Sequence, residues 1–422
     1  MTAVVLAGGK GTRMAGIFPG IPKPLIPVCG KSVLQRQIET LKNGGVSDIV
    51  VVTGYLSEKI EREFLSGEKY GVQISYYTEK KPLGTAGALF KMDIRDDILL
   101  ISGDLVFDID IEKMLAFHKK NNALATLFTH PNTHPADSTL VETDEDGRIT
   151  AFVPKENRKG CYRNLCNAGV QIVSPELLKM YDISGAADLD RDIIYPAVST
   201  GRLFSYKSSE YVRDMGTPER YLSVSKDVEN GLVPLRNLKN KQKAVFLDRD
   251  GTLNKANGFI TRPEELELTD GAAEAVKKIN GLGYLAIVIT NQPVIARGEC
   301  TVEELRLIHN RLETLLGESG AYLDAIYYCP HHPDSGFPGE IPSLKVACSC
   351  RKPAPGLILE AAREFNIDLS SSYMVGDSWR DIKAAENAGC AAVFLGSELP
   401  QSAPGNTLIF RDLKSFADHL MN

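Results

Sequence analysis

The sequence predicts an α/β protein made of two doubly wound, mainly parallel-sheet domains. Three observations predict it. Short apolar runs that read as buried strands alternate with segments of helical spacing, the pattern of repeated βαβ units. Several of these runs stop at glycine-rich or carboxylate-bearing turns, where ligands sit in open parallel sheets. The alternation breaks once, near residue 231, and no internal repeat links the two sides. A chain of 422 residues is also longer than one typical domain.

Composition narrows the class. The chain is 43% hydrophobic and 24% charged, ordinary for a globular protein. A net charge of -6 argues against a nucleic-acid-binding surface. No apolar stretch approaches membrane-spanning length, and no basic leader precedes the first apolar run. The expectation is a cytoplasmic enzyme without nucleic-acid or membrane partners, with self-association into a homo-oligomer left open. The eight cysteines are then expected to be reduced, and any cluster among them to bind metal.

In chain order, Val4-Val5-Leu6-Ala7-Gly8-Gly9-Lys10-Gly11-Thr12-Arg13 is a buried strand feeding a glycine-rich loop. Its bare amides can cradle phosphate oxygens while Arg13 adds positive charge. A dinucleotide fingerprint is excluded because Met14 stands where the third glycine belongs. Gly30-Lys31-Ser32 ends like a Walker loop, but Leu25 occupies its first glycine position. Pro22-Lys23-Pro24 presents a lysine stiffly between two prolines. Residues 33–41 and 57–64 have helical spacing, and 49–53, 72–77 and 98–102 read as strands. Pro82-Leu83-Gly84-Thr85-Ala86-Gly87 is expected to open a helix. The strand at 98–102 ends in Gly103-Asp104, a carboxylate at a strand's carboxyl end. Asp144-Glu145-Asp146-Gly147 lies between alternating strands and reads as a hairpin turn. His118, His130 and His134 lack partner spacing and are assigned to surface or loops.

These residues resemble the sugar-phosphate nucleotidyltransferase family, whose fold is Rossmann-like. The match runs from the glycine loop through Pro22-Lys23-Pro24, Gly84-Thr85-Ala86-Gly87 and Gly103-Asp104 to Asn167-Ala168-Gly169 and Asp214-Met215-Gly216-Thr217-Pro218. The resemblance implies that Leu6, Ala7, Gly8, Gly9, Gly11, Thr12 and Arg13 hold a nucleoside triphosphate. Lys23 would neutralise charge at the α-phosphate, with Arg13 beside it. Glu79, Gly84 and Thr85 would border the base, and Asp104 and Asp214 would share magnesium. Phosphoryl-type transfer is mainly positioning and neutralisation of spreading negative charge, so the chemistry agrees. Asn167 and Lys155 would contact the sugar phosphate. In Phe152-Val153-Pro154-Lys155-Glu156 the acid follows the lysine, whereas the family usually has it before.

The transferase domain is expected at 1–230 and a polar, basic, solvated linker at 231–242. The second domain, 243–422, begins at Ala244-Val245-Phe246-Leu247-Asp248-Arg249-Asp250-Gly251-Thr252. Here a strand stops at two carboxylates, one able to attack phosphorus and the other to carry a proton. Residues 271–282 and 301–316 read as helices. Between them, the strand at 285–289 ends in Thr290-Asn291-Gln292, suited to phosphate oxygens. Cys329-Pro330-His331-His332 and Cys348-Ser349-Cys350 supply three cysteines and a histidine for a closed tetrahedral zinc site. His331 is preferred to His332 because it alternates with Cys329 around Pro330. Arg351 and Lys352 follow directly and would border the phosphate pocket. Asp377, after the strand at 373–375, completes a magnesium site with Asp248 and the backbone carbonyl of Asp250.

This ordered set resembles haloacid-dehalogenase-type phosphatases. The cysteine-histidine insert narrows it to histidinol-phosphate and D,D-heptose-1,7-bisphosphate phosphatases. The long 333–347 insertion and Ile295-Ala296-Arg297-Gly298, which places Arg297 among the substrate contacts, look like the heptose enzyme. The two resemblances together imply a bifunctional enzyme of nucleotide-activated heptose synthesis acting on nucleoside triphosphate and sugar phosphate. Within it, the GDP-heptose route through the α-anomer is the version a transferase of this fold implies.

Overall fold

The computed structural model describes residues 1–9, 11–158, 160–400 and 403–421, so Lys10 of the glycine loop lies outside the described residues. It divides into two compact units. The first comprises Met1–His130, Val141–Val153 and Asn167–Asn237; the second comprises Pro131–Leu140, Pro154–Cys166 and Leu238–Asn422.

In the first unit, parallel strands lie in the order Gln73–Thr78, Asp48–Thr53, Thr2–Leu6, Ile98–Ser102. Strand Cys166–Val173 continues the sheet antiparallel to Ile98–Ser102. Successive residues face opposite sides of a strand. Ala3 and Val5 accordingly enter one core with Ile38 and Leu41, and Val4 enters another with Leu100 and Ile193. The strand order reverses between Thr2–Leu6 and Ile98–Ser102, and Leu6 pairs with Ser102. The glycine loop and Gly103-Asp104 therefore leave the sheet side by side at its switch point, where such sheets bind ligands.

Three expectations are corrected here. Residues 84–88 form no α-helix; the chain turns into a short 3-10 helix, Leu89–Lys91. A Cβ on Gly84 would lie 2.3 Å from the Ala187 carbonyl oxygen, and one on Gly87 2.5 Å from that of Gly185. Close backbone approach shapes this segment, which a helical reading misses. The 231–242 stretch is not a solvated connector. Residues Leu232–Leu235 are helical, Arg236 is buried with Nε donating to the Ser209 carbonyl, and Gln242 is buried with its amide donating to Asn366. Buried polar groups need such partners. His118 is buried too, its Nδ1 2.8 Å from the Thr126 hydroxyl, so it is a packed side chain rather than a surface one. The hairpin turn at Asp144–Gly147 does form, with the Arg148 amide donating to Asp144 Oδ1.

The second unit holds six parallel strands in the order Ala325–Cys329, Leu285–Asn291, Ala244–Leu247, Tyr373–Gly376, Ala391–Leu395, Leu408–Phe410. Val245, Leu247 and Val288 pack on one face; Ala244, Phe246 and Ile287 pack on the other. The order reverses between Ala244–Leu247 and Tyr373–Gly376, the strands that precede Asp248 and Asp377. The long helix Val302–Glu318 starts from a reciprocal Thr301–Glu304 cap. Among the described residues, no helix is long and apolar enough to cross a membrane.

Candidate active sites

In the second unit, Asp248 is the first residue beyond its strand and its amide donates to the Val375 carbonyl at 2.9 Å. That bond fixes it beside the neighbouring strand's end. Gly251 adopts φ +85, and a Cβ there would lie 1.9 Å from Asp377 Oδ2. Only glycine lets this turn pass so close to the second carboxylate. Asp248, Asp377 and Asp381 bring carboxylate oxygens within 4.8 Å of one another. Buried Lys352 lies between two of them, with Nζ 2.8 Å from Asp248 Oδ1 and 2.6 Å from Asp381 Oδ1.

Charge is not balanced in this pocket. Burial first, and then Asp381, push the Asp248 carboxyl up to about 7 despite Lys352. Burial and Asp248 also raise Asp377. Burial alone would lower Lys352; Asp248 and Asp381 outweigh it and raise it. A cluster of acids that resist ionisation together fits a divalent cation, which would remove the cause. Asp381, the second aspartate of the motif that begins at Gly376-Asp377 but not among the expected metal ligands, sits on the first turn of helix Trp379–Ala388, where its Oδ2 also accepts the Ser378 amide.

Asp250 accepts from Arg249, Asn254 and Gln292. Gln292 also donates to the Thr290 hydroxyl at 2.9 Å. Asn291 exchanges two hydrogen bonds with the Lys352 backbone, at 3.0 and 3.1 Å. Its carboxamide thus holds the lysine in place. Arg297 is stacked between Phe259 and Phe337, its guanidinium carbon 4.4 and 4.1 Å from the ring centres. Half-buried Arg351 donates to the His331 carbonyl, and burial lowers its pKa.

Cys329 ends its strand with its thiol buried. Its Sγ lies 3.5 Å from Cys348 Sγ and 3.2 Å from Cys350 Sγ, and His331 Nδ1 lies 3.2 Å from Cys350 Sγ. All four ligand atoms fall within 4.8 Å. Zinc–sulfur bonds of about 2.3 Å at tetrahedral angles separate sulfurs by about 3.8 Å; the three sulfurs here lie 3.1–3.5 Å apart, gathered somewhat tighter than that ion would hold them. His332 is turned elsewhere, its Nδ1 accepting the Asp334 amide.

In the first unit, the Ala7 amide donates to Val52, anchoring the loop that follows Leu6. A Cβ on Gly8 would meet Glu79 Oε2 at 2.8 Å, and one on Gly103 would meet the Leu6 carbonyl at 2.5 Å. Gly9 borders open space, and Thr12 and Arg13 are exposed. Gly11 takes φ +62 against the Lys23 side chain, whose Nζ reaches Asp104 Oδ2 at 2.8 Å. Asp214 ends strand Tyr211–Asp214 opposite Leu105, and the Met215 amide donates to the Asp104 carbonyl. The two predicted metal carboxylates therefore share one edge. Asp214 also accepts from Arg220 Nη1 at 2.8 and 2.9 Å, a partner the sequence reading missed.

Glu79 Oε1 accepts the Leu83 amide, and burial raises its carboxyl. The Thr85 hydroxyl accepts the Leu189 amide at 2.7 Å, so it pins the loop to its neighbour. Asn167 Oδ1 accepts the Gly169 amide, and Nδ2 donates to Asp190 Oδ1 at 3.4 Å. Asp190 is a further carboxylate the sequence reading did not single out. Lys155 heads the exposed 3-10 turn Lys155–Asn157, in the segment Pro154–Cys166 that belongs to the second unit.

The nucleotidyl transferase family matches residues 2–231, and the HAD-hydrolase-like family matches residues 349–413. The D-glycero-beta-D-manno-heptose-1,7-bisphosphate 7-phosphatase of Yersinia pestis is 38% identical over 176 residues, 42% of this chain and 92% of that protein. The corresponding alpha-anomer phosphatase of Photorhabdus laumondii is 42% identical over 156 residues, 37% of this chain and 83% of that protein. A solved D,D-heptose 1,7-bisphosphate phosphatase from B. bronchiseptica, complexed with magnesium and phosphate, is 33% identical, covering 43% of this chain and 98% of that one at a TM-score of 0.38.

Proposed function

The chain belongs to the nucleotidyl transferase family and also to the HAD-type heptose-bisphosphate phosphatases, a bifunctional enzyme, and from that premise we propose that its two reactions are consecutive. The phosphatase domain removes the 7-phosphate of D-glycero-α-D-manno-heptose 1,7-bisphosphate. The transferase domain then joins the heptose 1-phosphate to GMP drawn from GTP, releasing pyrophosphate and giving GDP-heptose. The observation that carries this reading is the presence, in one chain, of a strand-end nucleophile site and a glycine-loop site with its lysine.

In the phosphatase, an Asp248 oxygen attacks phosphorus and the sugar oxygen leaves with a proton from Asp250. Water then attacks the aspartyl phosphate, giving its proton to Asp250 and freeing phosphate. Lys352 steadies Asp248 and Asp381, and Arg351, Arg297 and Thr290 border the substrate. Asp248, Asp377, Asp381 and the Asp250 carbonyl would hold magnesium, which supplies positive charge to the phosphoryl oxygens when bound. Cys329, His331, Cys348 and Cys350 would hold a structural zinc.

In the transferase, a sugar-phosphate oxygen attacks the α-phosphorus and the bond to the departing pyrophosphate breaks. Loop amides of Gly8, Gly9, Gly11 and Thr12, with Arg13 and Lys23, meet the growing negative charge. Asp104 and Asp214 would hold magnesium there; Asn167 would meet the sugar phosphate.

Fusion makes most sense when one domain's product feeds the other, which supports a shared heptose. The α-anomer and GTP rest on the resemblance to the GDP-heptose route; the relatives include phosphatases of both anomers. Turnover of each bisphosphate anomer, and of GTP, ATP, CTP and UTP with heptose 1-phosphate, tests the reading. A clear preference for the β-anomer, or for ATP or CTP, would overturn the GDP assignment.

A further inference from the structure

Arg249 stands between the two aspartates of the phosphatase motif. In an extended chain, neighbours point to opposite faces, so residue 249 would be expected to turn away from the pocket. The chain instead bends there: the amides of Leu253 and Asn254 donate to the Arg249 carbonyl. Its guanidinium then folds back onto its own neighbour. Arg249 Nε lies 3.1 Å and Nη2 2.9 Å from Asp250 Oδ1, and Nη2 lies 2.9 Å from Oδ2. The arginine side chain is 1% exposed and that of Asp250 31%. A guanidinium so fully desolvated is stable only with a well-placed partner. Among the described residues its ion-pair partner is Asp250.

Two further donors complete the setting. Asn254 Nδ2 reaches Asp250 Oδ1 at 3.0 Å, and Gln292 Nε2 reaches Oδ2 at 2.9 Å. Each carboxylate oxygen is therefore held from two directions, and only the arginine holds both. Lys352, the pocket's other buried cation, pairs with Asp248 and Asp381 instead. The two cations serve different acids.

We infer that Arg249 is a positioning residue for leaving-group protonation, its buried fork aiming the Asp250 carboxyl at the departing sugar oxygen. This rests on the phosphatase reading above. The consequence is selective. An alkoxide leaving from a sugar needs a proton, whereas p-nitrophenolate or acetate leaves without one. Loss of aim should therefore damage the first reaction and spare the second. The quantity to compare is kcat/KM, which ends at leaving-group departure and excludes hydrolysis of the aspartyl phosphate.

The experiment compares the full-length protein with Arg249→Met, Arg249→Lys and Asp250→Ala. Substrates are heptose 1,7-bisphosphate and p-nitrophenyl phosphate, with acetyl phosphate in place of the latter if the aryl ester is refused. General acid catalysis contributes about a hundredfold or more, so Arg249→Met should lose on the order of a hundredfold on the sugar ester and less than about tenfold on the activated one. Arg249→Lys keeps the charge without the fork and should shift the same ratio in the same direction, which decides the matter if the methionine variant fails to fold. The double variant Arg249→Met/Asp250→Ala should be no slower on the sugar ester than Asp250→Ala alone, because the two act as one unit. Equal losses on both substrates, or an additive double variant, would overturn the inference. A wild-type protein that releases phosphate from neither ester would instead overturn the phosphatase reading beneath it.

Discussion

The Asp190 carboxyl sits on the π-helical turn Leu189–Ile194, where burial and then Asp188 push it up to about 6 against the help of Gln171 and Asn167. Among the described residues it has no ion pair. Its pKa of about 6 lies above the ordinary aspartate value of 3.8, so the fold prefers the protonated form. The stability this gives is fully present below about pH 4 and is lost as pH rises through about 6. Asp190→Asn should therefore raise the melting temperature of the first unit by a few degrees at pH 8 and scarcely at all near pH 4; an equal shift at both values would refute it. Other residues divide by how local their signal is. Asp248, Asp377 and Cys329 were legible as candidates because each sits in a short motif at a strand end, and Cys348, Cys350 and Lys352 because they crowd into one short loop motif. Arg220 and Asp190 were not, since their importance depends on which groups they meet. Asn291 and Thr85 show what a motif leaves unsaid: a polar side chain beside a site also ties down backbone.

Strands and long helices were readable from periodicity, and both sheets formed from the runs that predicted them. Turns held by close backbone approach were not, as the 84–88 segment shows, because glycine spacing says nothing about what passes nearby. The same distinction separates two loop glycines. A Cβ on Gly251 would collide with Asp377 at 1.9 Å in a left-handed conformation, whereas a Cβ on Gly9 meets nothing within 4 Å. Gly251→Ala should force the first strand's turn away from the Asp377 strand end, abolishing phosphate release and lowering stability of the second unit by more than about 1 kcal/mol. Gly9→Ala should leave stability within about 0.5 kcal/mol. Melting curves and both activity assays on the pair check this; similar behaviour of the two would show that the turn is not fixed by that contact.

At the scale of the molecule, each unit carries its own switch point and its own set of acids. Asp248→Asn should accordingly abolish phosphate release while nucleotidyl transfer stays within about twofold, an expectation about separate sites that parallel assays check directly. Equal loss of both activities in a folded variant would contradict it. Metal removal should divide the molecule in the same way. Strong chelation followed by magnesium refill should leave transfer intact and phosphate release impaired, because refill cannot replace zinc; full recovery of both would remove zinc from the account. The gathering of Cys329, His331, Cys348 and Cys350 has a topological consequence as well. The chain leaves and re-enters the fold through one cluster, so these four groups would clasp residues 332–347 into a ring, tied elsewhere by the Ile341 amide on the Ala296 carbonyl and by Phe337 against Arg297. Opening the clasp leaves the ring only those weaker ties, with more conformations available to it. Proteases cut such loops at exposed tips. The first scission of a chelated sample should therefore fall within residues 333–347, the strands on either side should survive it, and zinc added before the protease should prevent it.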